Sequence, residues 1–278
     1  MTPYKFSSLA RPLDFKYRTN LAVVLIVLTT IFSYSFFHDQ DGINLGDRFI
    51  TGLILAFNLF IGWALARELD PDEPYAGFLA MACIICAYIF DLYSGTAFLL
   101  LLLLLMLMRI TNRVTGLPAK WMDTIFIIIL AGYLSFIISW IVGLIAGLAL
   151  WIDFKSPNPH IRHGWAAIVI FIASMVALVL DPIPTSFEID NVYLVVGSLI
   201  LFVPYIVSSV PVVSLTDATG EKLSNKRVQL TQILSLFTLV IFIFWKGLEG
   251  FLFLMPLWAT MLALCLFRVY RLIKNLVK

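Results

Sequence analysis

Histidine and cysteine are nearly missing from this chain, with three of each in 278 residues. The cysteines are Cys83, Cys86 and Cys265, all in apolar surroundings, which excludes a disulfide framework or a cysteine-built zinc domain. Cys83-Ile84-Ile85-Cys86 has the spacing of a metal or redox pair, but without a nearby His or further Cys it reads as packing. Charge is scarce as well. Asp, Glu, Lys and Arg make up 13% of the chain against 61% hydrophobic residues. That leaves too little polar cover for a soluble protein of this length. The motifs of nucleotide, zinc-protease and serine-nucleophile chemistry are absent from the sequence. No cleavable leader is expected, because the first apolar run begins only at Leu21 and no small-residue cleavage site follows it.

What is abundant is uninterrupted apolar sequence, with a mean hydropathy of +0.98. The runs are Leu21–Phe37, Phe49–Ala66, Tyr75–Asp91, Thr96–Met108, Thr124–Ile152, Trp165–Leu180, Val192–Val213, Leu230–Trp245 and Phe251–Phe267. Most approach the length that crosses ~30 Å of hydrocarbon. Stretches such as Leu99–Leu105 do not alternate, so barrel strands are excluded and helices are required. The sequence therefore predicts an all-α polytopic membrane bundle of about nine transmembrane helices, with eight or ten as the bounds. Residues 1–20 read as a basic interfacial segment, 21–267 as one transmembrane domain and 268–278 as a basic tail. Val192–Val213 carries Pro204, Ser208, Ser209 and Pro211 and predicts a kinked or broken helix. Trp63, Trp121, Trp151, Trp165 and Trp245 read as interface anchors.

Charge bias sets the orientation. The N-terminal segment and Arg109–Met122 are basic, which places both on the cytoplasmic side of a bacterial or archaeal plasma membrane. Nine crossings then put Lys222, Lys226, Arg227 and the basic tail outside, against that bias. The conflict rests on Thr124–Ile152, 29 residues without a charge. One straight helix of that length measures ~44 Å. Folding it back as a pair repairs the charge bias but gives legs of only ~21 Å. The missing polar turn favours one tilted helix and nine crossings; the charges favour the pair.

Ionisable chemistry concentrates in one stretch, Arg67-Glu68-Leu69-Asp70-Pro71-Asp72-Glu73, between two apolar runs. Carboxylates suit Mg2+, which takes hard oxygen ligands and often bridges a phosphate. Asp70, Asp72 and Glu68 are the candidate metal ligands, and Arg67 a candidate for a substrate phosphate. The bland alternative is a solvated loop turning at Pro71 and Pro74. Asn58, near mid-membrane, is a candidate for a substrate head group or for helix–helix hydrogen bonding. His160 and His163 stand three apart, but Pro157 and Pro159 favour a loop over a metal pair. Lys246 and Glu249 are spaced to pair on one helical turn.

With two acidic helix ends, at Asp70 and Asp72 and at Asp181 with Glu188 or Asp190, the chain resembles the intramembrane (UbiA-type) prenyltransferase family. Ala10-Arg11-Pro12 before the first span adds to the likeness. The resemblance implies about nine helices and a magnesium site for an isoprenyl diphosphate, with Asp70, Asp72 and Asp181 catalytic. The acids here are spaced differently from that family's two motifs. On this reading the protein is a divalent-cation-dependent transferase acting on a lipid-linked diphosphate. The alternatives are a transporter of a small solute or lipid, or an accessory subunit of a membrane complex. The expected partners are membrane lipids, an isoprenoid or other lipid-linked substrate and, for the accessory role, another protein. No nucleic acid is expected, because the basic patches face a membrane.

Overall fold

A computed structural model of the chain describes residues 7–11, 13–37, 44–90, 92, 98–180, 190–208 and 211–276. Ten helices follow in order: α1 (Arg18–Phe37), α2 (Leu45–Leu69), α3 (Ala76–Ile89), α4 (Phe98–Asn112), α5 (Trp121–Ile137), α6 (Trp140–Lys155), α7 (Ile161–Leu180), α8 (Asp190–Val207), α9 (Asn225–Phe253) and α10 (Met255–Leu276). The only extended pairing among the described residues is an isolated bridge between Leu215 and Lys222. The all-helical expectation holds. Five helices, α1, α2, α7, α9 and α10, are long and apolar enough to cross a membrane. That criterion alone does not reach nine crossings.

The helices begin and end where side chains supply what the backbone lacks. The Asn44 side chain accepts the Asp47 N–H at 2.9 Å and starts α2. Asp123 accepts the Lys120 N–H at 2.9 Å and starts α5. α8 contains Pro204 and stops at Val207, before Pro211. Ser208 then donates to the Pro204 carbonyl at 2.6 Å, a small hydroxyl closing a helix end as the sequence suggests. Inside α9, Gly247 has φ of 60°, a conformation that favours glycine, and breaks the helix between Lys246 and Glu249. The single-turn pairing expected of those two therefore lacks a continuous helix.

The chain divides into two compact units. The first comprises Leu13–Phe98 with Leu252–Lys278. In it α2 packs against α1, α3 and α10, and α3 against α10. Ala66, Ala80 and Ala263 meet where α2, α3 and α10 come together, small residues that let helices approach closely. Trp63 is buried in this unit rather than anchored at an interface.

The second unit comprises Met1–Pro12 with Leu99–Phe251. Here the long uncharged stretch is two helices, not one. α5 has 17 residues and α6 has 16, about 25 Å each. Ser139 is extended between them and its hydroxyl accepts the Ile141 N–H. The pair folds back on itself. His163, in the first turn of α7, bonds Asp153 in the last turn of α6 at 2.7 Å. Its other ring nitrogen lies 3.3 Å from Thr124, in the first turn of α5. The start of α5 and the end of α6 are therefore at one end. α7 runs back along α6, where Ser174 donates to the Trp140 carbonyl at 2.7 Å. Gly147 makes room for Phe171: a Cβ there would sit 2.4 Å from the ring.

Candidate functional site

In the first unit the acidic stretch forms two successive turns. Asp70 caps α2, and its N–H donates to the Ala66 carbonyl at 2.9 Å. The Glu73 N–H reaches the Asp70 carbonyl at 3.3 Å, with Pro71 second in that turn. The Ala76 N–H reaches the Glu73 carbonyl at 3.1 Å, with Pro74 second in the next. The four carboxylates are not equivalent. Glu68 is fully buried in the last turn of α2. Glu73 pairs with Arg271 of α10. Asp70 and Asp72 are half-buried on the turn itself. Among the described residues no group of three or more His, Cys, Asp or Glu is placed to hold a metal ion.

The other expected site residues are distributed differently. The Arg67 guanidinium lies over the Trp63 ring, 5.0 Å from its centroid, and donates to Asn20 at 3.4 Å. Asn58 is buried and donates to the Ile54 carbonyl one turn back, at 2.8 Å. Asp181 and Glu188 lie outside the described residues, as does the side chain of Asp190.

The most organised polar group among the described residues was not singled out by the sequence. It lies in the second unit, at the end shared by α5, α6 and α7. Asp153 is fully buried just past the uncharged stretch that ends at Ile152. Its Oδ1 accepts Arg113 Nε at 2.8 Å and an Arg227 terminal nitrogen at 2.8 Å. Its Oδ2 accepts a second Arg113 nitrogen at 2.9 Å and faces His163 Nδ1 at 2.7 Å. Arg227 also donates to the carbonyls of Thr111 and Pro157, at 3.1 and 2.9 Å. Burial opposes the charge on Asp153, and the hydrogen bonds it receives from Arg113, Arg227 and His163 offset that cost.

This group ties together the ends of α4 and α6 and the starts of α7 and α9. It also engages one of the two histidines, and His163 stands in the first turn of α7 where the sequence favours a loop. Both ring nitrogens of His163 face protein partners, Asp153 and Thr124, while His160 Nε2 lies 2.9 Å from Arg162. The signal available in the sequence was slight: one Asp closing a long uncharged stretch, and two arginines flanking apolar runs.

The N-terminal residues join the same unit. Ser7 and Ser8 both donate to Asp123, with the Ser8 N–H at 3.0 Å. Leu9 is buried, and its carbonyl accepts Arg109 at 2.7 Å. Arg11 pairs with Asp217 at 2.6 Å. The loop carrying Asp217 is held in turn by Asp217 and Ala218 N–H groups on the carbonyls of Val114 and Thr115. Beside this end lie exposed Trp121, Ile161 and Trp165, with the Arg162 guanidinium over Trp121 at 5.0 Å. Exposed aromatic and basic side chains at one level are the mark of a membrane–water interface.

Compared with family models, with curated proteins and with solved structures, the chain matches none.

Proposed function

We propose that this protein is a ten-helix integral membrane protein with both termini cytoplasmic, and that it binds and moves an uncharged, lipid-soluble solute. The return of Thr124–Ile152 as a helix pair carries the reading. With α5 and α6 each counted as a crossing, every loop after an even-numbered helix falls on the side of the N-terminus. Those segments hold Arg113, Lys120, Lys222, Lys226 and the basic end of α10, so the positive-inside bias is satisfied throughout. Five helices, α3 to α7, then separate Asp70 from Asp181 in the chain, an odd number of crossings on this count. A single centre built from Asp70, Asp72 and Asp181 does not fit that order.

The transport class is supported by the polar groups within the second unit. Ser135, Ser174, Thr231, Ser235 and Thr238 are buried hydroxyls along its helices. Gly247 interrupts α9, the kind of helix discontinuity found around membrane binding sites. The topology is tested by cysteine labelling in a background lacking the three native cysteines. Lys155→Cys and Thr219→Cys should both label from the cytoplasm alone; labelling of both from outside removes the ten-helix order. Proteoliposomes preloaded with neutral solutes test the activity. Efflux no faster than from empty liposomes across the set removes the transport reading.

A second reading keeps a transferase confined to the first unit. Its support is the placement of Asp70 and Asp72, half-buried on a proline turn at the end of an apolar helix. These two would hold Mg2+, which offsets charge on a lipid diphosphate when bound, and Arg67 would face the phosphate. Turnover of isoprenyl diphosphates that survives unchanged in Asp70→Asn and Asp72→Asn removes it.

A further inference from the structure

The C-terminal half of α10 has a feature that neither reading uses. Up to Leu264 the helix is packed, with Met255, Leu257, Ala259, Met261, Ala263 and Leu264 buried. Beyond that it emerges. Leu266, Val269, Tyr270, Leu272, Ile273 and Leu276 are all exposed, Leu276 at 86%. At about 100° per residue these six form one face of the helix. Arg268, Arg271, Lys274 and Asn275 form the opposite face.

Two observations locate this segment. Arg271 pairs with Glu73, so it is level with the polar turn that joins α2 to α3. Leu272, Ile273 and Leu276 therefore lie at or past the end of the apolar helices they follow, where water would otherwise meet them. The charge is one-sided: after Glu249 the sequence has four basic residues and no acid. An apolar stripe at the membrane edge, on a helix end whose own charges are all cationic, is complementary to a leaflet of acidic headgroups. A soluble acidic protein would match the cations but not the stripe.

We propose that residues 266–276 form a surface strap that seats in the headgroup layer of anionic phospholipid. Its apolar face enters the acyl boundary. Arg268 and Lys274 meet lipid phosphates on either side of Arg271, which the acidic turn holds through Glu73. The acidic turn then works as a positioning clamp for the strap, and the proposal does not depend on the number of crossings or on solute transport.

The test uses the full chain in nanodiscs, in the cysteine-free background, with a spin label at Ile273→Cys. Bilayers of phosphatidylcholine alone are compared with bilayers containing phosphatidylglycerol. The expected result is a several-fold loss of accessibility to a water-soluble relaxation agent in the anionic bilayer. That loss should vanish in the Arg268→Glu, Lys274→Glu protein while its thermal unfolding stays unchanged. A label open to water in both bilayers overturns the proposal. So does a label equally buried in both, which would make the contact purely apolar. Burial in native membranes but in neither defined bilayer also overturns it and points to a protein partner. Free inorganic phosphate should leave the label unchanged; protection by phosphate alone overturns the lipid assignment.

Discussion

The acidic turn of the first unit and the buried carboxylate of the second are opposite solutions to placing negative charge beside a membrane. In the turn, Asp70, Asp72 and Glu73 stand close in sequence and keep partial access to water. Around Asp153, one acid is removed from water entirely and satisfied by bases from three other segments. The first arrangement is cheap to form and easy to alter. The second costs desolvation that only complete pairing offsets, and it locks whatever it connects.

Removing the central charge is the strongest way to break that contrast. Asp153→Asn strands Arg113 and Arg227 in a buried site and should cost about 3–5 kcal/mol. Thermal unfolding of the purified protein should show it, together with loss of the cytoplasmic-only labelling pattern. A cost below about 1 kcal/mol, the range of exposed pairs, would place Asp153 in the same category as the turn.

Packing of the helix pair gives the next effect. Gly147→Val drives a side chain into Phe171, which a Cβ alone already meets at 2.4 Å. Overpacking of this kind should cost about 1–3 kcal/mol. A neutral substitution would mean that α6 and α7 can separate freely. The smallest effect belongs to the turn. Arg271 is 59% exposed, so Glu73→Gln should change stability by no more than about 1 kcal/mol. A loss comparable with that of Asp153→Asn would erase the distinction between the two regions.

The sequence was most legible where chemistry is local. The apolar runs marked α1, α2, α3 and α7 to within a few residues, because lipid allows no unpaired backbone and leaves the helix as the only choice, whereas α10 runs on to Leu276 through what reads as a basic tail. Pro71 and Pro74 marked two turns, and Pro204 with Ser208 marked an irregular helix end. Tryptophan position was less reliable. Trp121 and Trp165 are exposed as interface anchors should be, whereas Trp63, equally near a segment end, is buried. Spacing along the chain does not say which side of a helix meets a neighbour.

Composition and hydropathy by themselves determined that this is an all-helical chain built for lipid, with four of its 17 acids bunched within residues 68–73 and its bases gathered at a few segments. The tertiary structure decided what those charges do. It turned Thr124–Ile152 back at Ser139, a reversal that needs one extended residue and no polar loop, and so left no compositional mark. It brought Arg113, Asp153, His163 and Arg227 together across separations that no local pattern encodes. Burial makes a lone aspartate demand every donor within reach, and only the packed helices determine which donors those are.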